Sequence, residues 1–469
     1  MMEELNLAVL KKQQKRIILY RRLLVAVTFL LFSVMFTLTY IQAYSSVPKQ
    51  IRLVQGDWQI WDFDIPVRGT ITRKSGMEAD ASEGKSDGEA GRETNGQGRG
   101  ELCSLQVSGQ KASNIPTDSI NIDLSESFSV RADEMETYYM DLKLFGFIPL
   151  KQVEIQVMQE QMLIPGGIPI GIYMKTQGVM VVGTGEFEAA DGTVCNPCQY
   201  VLKSGDYITE VNGEQILSKV ALTDIVEESD GEKMELVICR DEQEISVSVQ
   251  PKQNKEGEYK LGLWVRDNAQ GVGTLTFIDE EGNFGALGHG ISDVDTGEIL
   301  ELKSGTLYST EIIALRKGKN GEPGEMTGMI EYIDSNIWGK ITENSNRGIY
   351  GVGNQKLQDQ VEGEPMQIAL KHEIEKGPAQ VLCSVEGMPK YYDVEIKDIY
   401  MENSHINRGI LLEVTDPELL AVTGGIIQGM SGAPIIQDGK IIGAVTHVLV
   451  QDATSGYGIF IEEMLKGAE

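Results

Sequence analysis

Several things are scarce in this chain of 469 residues. It has only four histidines and 7% aromatic residues, and its five cysteines are an odd number. Cys103, Cys195, Cys198, Cys239 and Cys383 are too scattered to form a disulfide framework. Cys195-Asn-Pro-Cys198 is a lone CxxC with no second pair or His pair nearby, which gives weak support to zinc and better fits a local disulfide or two plain thiols. A basic surface is also missing. Lys and Arg number 41 against 70 Asp and Glu, a net charge of −29, and six of the basic residues fall within the first 22 positions. So acidic a body excludes nucleic acid as a partner, because phosphate binding needs a basic face. Neither GxxxxGK[ST] nor HExxH occurs, so no nucleotide, metal or other cofactor is expected.

Charge is also absent from Leu23 to Tyr44, a stretch of length sufficient to cross a hydrocarbon core of ~30 Å. Lys11, Lys12, Lys15, Arg16, Arg21 and Arg22 precede it, so the positive-inside bias predicts a cytoplasmic tail over 1–22 and a signal-anchor over 23–44. A cleaved signal peptide is the competing reading, and Ile41-Gln-Ala43 makes a poor cleavage site. The segment 45–118 is expected as linker, disordered around 75–100, where one side chain, Met77, is apolar and larger than alanine. Alternating runs such as SINIDL and YYMDLKLFG predict a small β region over 119–160.

Abundant glycine (52 residues) bounding short apolar runs favours β architecture for the rest. LKSGDYITEVNGEQI, from Leu202 to Ile216, followed by the helix-like VALTDIVEES, resembles PDZ domains, with Asn212-Gly213 as a two-residue turn. The resemblance implies a PDZ domain over 161–255. Its peptide groove would be walled by the helix from Ala221, and the backbone of Gly167, Ile168, Ile170 and Gly171 would hold a peptide's terminal carboxylate. Pro169 removes one donor from that loop.

Gln428-Gly-Met-Ser-Gly-Ala-Pro434 and the following IIQDGKIIGAV resemble the nucleophile loop and hairpin that end trypsin-like peptidases. Ser431 is the candidate nucleophile, and the N–H groups of Gly429 and Ser431 can converge as an oxyanion hole. Of the histidines, His289 in GHGISD is the candidate base, its flanking glycines leaving the ring open. His372 is expected on the surface, His405 in a loop, and His447 in a pocket wall.

The set GHGISD, EPGEMTG, GIYG, TDPELL and GMSGAPIIQDGKIIGAVTHV, together with the N-terminal anchor and KLFGFIPLK, resembles the stage IV sporulation protein B family of serine peptidases. The resemblance implies a triad of His289, Asp416 and Ser431. From the residues alone, Asp293 and Asp295 remain rivals for the acid, and Asp416 has a second reading as a helix N-cap before PELL. The fold expected is mainly β: one transmembrane helix, a PDZ domain, and a trypsin-like double β-barrel over 260–469. The resemblance further implies an extracytoplasmic signalling enzyme in the space between the forespore membranes. It would process itself and cut a protein substrate in an adjacent membrane, triggering a late sigma factor. A non-catalytic PDZ adaptor and an extracytoplasmic quality-control protease are the alternatives.

Overall fold

The computed structural model describes residues 2–73, 105–108, 119–401 and 405–468, with side chains from residue 19 onward. The expected disordered stretch 75–100 and Cys103 lie outside the described residues. The chain divides into two compact units, Met1–Glu160 and Gln161–Glu469.

The first unit begins with the helix Met2–Ser46, whose portion Leu19–Ser46 is long and apolar enough to cross a membrane. A five-stranded sheet follows, in the order Gln50–Val54, Ile148–Met158, Thr137–Leu144, Val67–Arg73, Ser119–Asp123. A three-stranded sheet, Gln59–Trp61, Phe128–Ala132, Leu105–Ser108, lies with it. The two share one core around Trp61, Leu53, Val130, Tyr138 and Met140. The small β region therefore does not begin at 119: the segment 45–118, expected as linker, supplies four of these strands. Their alternation is legible afterwards, as in BeBiBie over Val67–Arg73, but a single short strand between polar stretches gives little periodic signal.

The second unit holds two six-stranded barrels. In the first, Pro169–Thr184 pairs Leu302–Ser309, which pairs Ile337–Ser345, then Gly348–Gly353, Asn283–Ala286 and Leu263–Ile278, which returns to Pro169–Thr184. The second barrel is Gly377–Cys383, Lys390–Ile399, Ile410–Val414, Asp452–Phe460, Lys440–Leu449 and Pro434–Gln437. Asp438 and Gly439 form the tight turn between its last-entering hairpin strands, both with φ near that of the left-handed region (50° and 76°).

A PDZ-like body is inserted between the first two strands of the first barrel. Its strands are the far end of Pro169–Thr184, then Tyr207–Val211, Met234–Arg240 and Gln243–Val249, with the helix Lys219–Glu228 capped by Ser218. Asn212 (φ 51°) and Gly213 (φ 84°) make the expected turn. The aspartate of the Gly-Asp pair, Asp206, is fully buried. It receives both Nε and Nη2 of Arg240, at 2.7 and 2.6 Å, and the Lys203 N–H at 2.9 Å. A buried carboxylate so fully paired fixes the loop that enters the Tyr207–Val211 strand.

This insertion corrects the serial division expected from sequence. The peptidase fold starts with the strand from Pro169 rather than at about 260. Gly167, Ile168, Ile170 and Gly171 accordingly do not form a PDZ loop. Ile170 and Gly171 lie mid-strand, paired with Gly273 and Val272 on one side and Ser309 and Tyr308 on the other, while Ile168 joins the first barrel's core. With both edges taken by neighbours, the Ile170–Gly171 backbone is closed to a peptide carboxylate, and the Gly167 N–H already donates to the Leu275 carbonyl.

Candidate active site

The loop carrying Ser431 is held between the barrels by the backbone of Thr274, on the long strand Leu263–Ile278. Thr274 donates its N–H to the Ser431 carbonyl (2.9 Å) and its hydroxyl to the Gly429 carbonyl (2.8 Å). The loop needs glycine at two places. Gly429 has φ 101° and Gly432 φ 97°, and a Cβ on Gly432 would fall 2.0 Å from the Thr274 carbonyl and 2.5 Å from the Leu287 nitrogen. Among the described residues no acceptor takes the N–H of Gly429 or of Ser431. Two such donors flanking a candidate nucleophile are what an oxyanion hole requires.

His289 reaches the same place from the first barrel. The strand Asn283–Ala286 ends in Leu287 and Gly288, both at φ 70°, and this left-handed pair turns the chain toward the second barrel. A Cβ on Gly288 would meet the Thr446 side chain at 2.9 Å. Thr446 is in turn the residue whose carbonyl accepts the Ser431 hydroxyl, at 2.8 Å. The structure thus gathers Ser431, the Leu287–His289 turn and the strand Lys440–Leu449 around one point.

The His289 Nδ1 lies 2.9 Å from the Gly290 carbonyl. A carbonyl can only accept, so Nδ1 carries the proton and Nε2 is left as the basic nitrogen. Burial holds the ring's pKa below its usual value, against a smaller upward push from the Gly290 carbonyl. His289 is therefore neutral at neutral pH, as a general base must be. His447, expected as a pocket wall, stands with its ring centroid 5.3 Å from that of His289. Burial, His289 and Arg408 together push it down to about 4. His372, expected on the surface, is half-buried, and burial likewise pushes it to about 4.

Asp416 does not join this group. It is the N-cap of the helix Pro417–Thr423, and its Oδ1 accepts the N–H groups of Glu418 and Leu419, both at 2.9 Å. An Asp before Pro at the first helical position satisfies orphan donors there, and that local demand fixes the side chain. Its rivals are occupied as well. Asp293 is buried against Arg266 (2.6 Å) and accepts the N–H groups of Asp295 and Thr296, while Asp295 also pairs with Arg266 at 2.9 Å. Among the described residues the polar partner of the His289 ring is the Gly290 carbonyl, a role that sequence reasoning could not assign because it belongs to backbone.

The PDZ-like body carries a separate groove. A cavity of about 380 Å³ lies between Leu222, Thr223, Val226 and Glu227 of its helix and the segment Tyr259–Val265. Leu263–Val265 pairs with Val181–Thr184 on one side, and among the described residues its other edge has no strand partner. Gly262, at φ 71°, packs where a Cβ would lie 2.6 Å from the Gly185 carbonyl. No signal in the expected Gly167–Gly171 region could have pointed here. Cys195 and Cys198 are both free thiols, and burial pushes Cys198 up to about 12.

No curated protein matches the chain. Among solved structures, the PDZ domain of an SdrC-like protein (Lmo2051) from Listeria monocytogenes is similar at 20% identity, covering 19% of this chain and 87% of that one, with a TM-score of 0.16. The active form of the Rv3671c protease from M. tuberculosis is similar at 17% identity over 42% of this chain and 73% of that one, TM-score 0.24. An HtrA-type protease, AlgW, solved with a decapeptide, is similar at 10% identity over 43% and 52%, TM-score 0.24. Residues 257–465, which contain His289, Asp416 and Ser431, match the family described as SpoIVB peptidase S55, a serine peptidase family.

Proposed function

We propose that the chain is a membrane-anchored serine endopeptidase in which Ser431 is the nucleophile, His289 the base, and the N–H groups of Gly429 and Ser431 the oxyanion hole. The observation that carries this reading is the convergence of the Ser431 loop and the His289 turn on Thr274 and Thr446. In the reaction the Ser431 hydroxyl leaves the Thr446 carbonyl and gives its proton to Nε2 of His289 as its oxygen attacks the scissile carbonyl. The Gly290 carbonyl keeps the Nδ1 proton in place and supports the imidazolium. His289 then passes its proton to the leaving amine, and water, activated by the same ring, releases the acyl group.

The helix Leu19–Ser46 serves as the anchor, with the basic residues before it in the cytoplasm and both folded units outside. The open strand edge at Leu263–Val265 and the adjoining cavity suit an extended peptide added as a further strand, from a substrate or from a partner's C-terminus. The match of residues 257–465 to the SpoIVB peptidase family supports a role in sporulation signalling, in which the enzyme processes itself and cuts a regulatory protein of an adjacent membrane.

The test is labelling of the full chain, in vesicles, with a fluorophosphonate that reacts only with activated serines. Label should fall on Ser431, and both Ser431→Ala and His289→Ala should abolish it together with self-cleavage. Labelling of Ser431→Ala at the wild-type rate would overturn the assignment and favour a non-catalytic peptide-binding adaptor.

A further inference from the structure

The hairpin joining Thr137–Leu144 to Ile148–Met158 turns through Phe145 and Gly146, with the Phe147 N–H donating to the Leu144 carbonyl at 3.3 Å. Both central residues are left-handed, Phe145 at φ 54° and Gly146 at φ 81°. Such turns ordinarily take Asn or Gly first, because a Cβ is strained there. A bulky aromatic occupies the position instead, and its side chain is only half-buried. Phe145 is 47% exposed and Phe147 71%, their centroids 6.4 Å apart at the tip. Strain and exposure together, at one loop tip, call for an apolar surface outside the chain.

The position of the tip identifies that surface. Phe36, Tyr40, Ala43 and Tyr44 of the N-terminal helix, and Val47 just after it, pack on the same core as Leu144, Ile148 and Leu150 of this hairpin. Lys151 donates to the carbonyls of Tyr44 and Val47 at the helix end, and its ammonium stands 4.5 Å over the Tyr44 ring. Beyond Phe36 the opposite face of the helix stays open, with Leu38 62% and Ile41 58% exposed. The uncharged run Leu23–Tyr44 rises about 33 Å, enough for the ~30 Å of a bilayer's hydrocarbon core, so the turns that pack on the domain are the last of the span. Lys151 ties the strand after the tip to the helix end, and Gln50–Val54 pairs that strand in parallel only from Glu154 onward, so the tip lies on the side of this contact away from Gln50–Val54, toward the bilayer. Lys143 is exposed next to the tip, and the Arg68 side chain, paired with Asp123 at 3.2 Å, runs past Gly146, where a Cβ would lie 3.0 Å from its Cδ. The Lys143 ammonium beside exposed aromatic rings, in a chain of net charge −29, complements anionic headgroups.

We infer that the Phe145-Gly146-Phe147 tip is a second membrane contact, placing both rings in the interfacial layer with Lys143 at the headgroups, and so fixing the orientation of Met1–Glu160 on the bilayer. The inference rests on the reading of Leu19–Ser46 as an anchor. It predicts that the domain stays on the lipid surface, rather than swinging freely from its helix.

The experiment places a reporter at the tip. Full-length Phe147→Trp and wild-type chains are reconstituted into phosphatidylcholine–phosphatidylglycerol vesicles, and the added emission is taken over that of the native tryptophans. The added emission should be blue-shifted, shielded from iodide, and quenched by about half with lipids brominated near the headgroup end of their chains. Free quenching by iodide without effect of brominated lipid would overturn the proposal. Shielding from both quenchers would also overturn it, since protein would then cover the tip. An alkaline carbonate wash separates this from the anchor reading: a chain that resists the wash while its tip is aqueous keeps its anchor and loses the second contact. A chain that washes off after showing lipid quenching keeps the contact and loses the anchor.

Discussion

The Thr274 hydroxyl offers a sharp test of how the active loop is held. Thr274→Val removes one oxygen from a residue that is 2% exposed and keeps its shape, leaving the Gly429 carbonyl without the donor now 2.8 Å away. Loss of one such bond, with its partner left half-buried, costs about 1–2 kcal/mol of stability. The effect on chemistry should be larger than that destabilisation suggests. The Gly429 carbonyl belongs to the peptide between the two proposed oxyanion donors, so its release should let both N–H groups drift from the point where charge would develop. Complete loss of one donor costs ~100- to 1,000-fold in turnover, and a loosened pair should cost about ten- to a hundredfold. Thr274→Ser restores the donor and should recover most of the rate. The assay is the second-order rate of fluorophosphonate labelling at Ser431, with urea midpoints measured on the same samples. A Val variant that is destabilised but labels at the wild-type rate would refute the reasoning, because the hydroxyl would then serve folding alone.

Gly432→Ala should be far more damaging than a surface glycine substitution, since its Cβ would overlap the Thr274 carbonyl and the φ of 97° is strained for alanine; soluble, active protein from this variant would contradict the packing described. Asp416→Asn should keep the helix cap and label within a few-fold of wild type, whereas Asp416→Ala should lose about 1 kcal/mol in urea denaturation; a drop of several hundredfold in the Asn variant would restore Asp416 to the triad. The acid limb of the labelling rate should have its midpoint below 6.5, because burial lowers the pKa of His289 and the base stays unprotonated further into acid; a midpoint at or above 6.5 would contradict this. Stability follows the same sign. The folded pKa of His372 is about 4, so its contribution is complete above 6.5 and declines toward 4 as the unfolded chain takes up protons first, a loss of about 2 kcal/mol at pH 5 that urea midpoints at pH 7.5 and 5 should reveal.

What the sequence by itself determined is local. An uncharged run of apolar residues marks a helix that can span a bilayer, because neither property depends on anything distant. Asn212-Gly213 and Asp438-Gly439 announce their turns because few residues tolerate two successive positive φ values. The nucleophile loop is legible for the same reason: glycines around a serine are needed wherever backbone must approach a reacting atom. Asp416 shows the limit. Its cap over Pro417 could be read from three residues, and the structure satisfies that demand rather than the distant one of His289. Tertiary structure decided the rest. Whether Gly167–Gly171 is a peptide-binding loop or a barrel strand turns on which strands lie on its two edges, and these come from residues 272–273 and 308–309. The insertion of the PDZ-like body within the first barrel, the relocation of the groove to Tyr259–Val265, and the choice of a backbone carbonyl to orient His289 all depend on pairings between segments far apart in sequence. Such pairings leave no periodic or compositional trace, since a hydrogen bond to a carbonyl carries no residue identity.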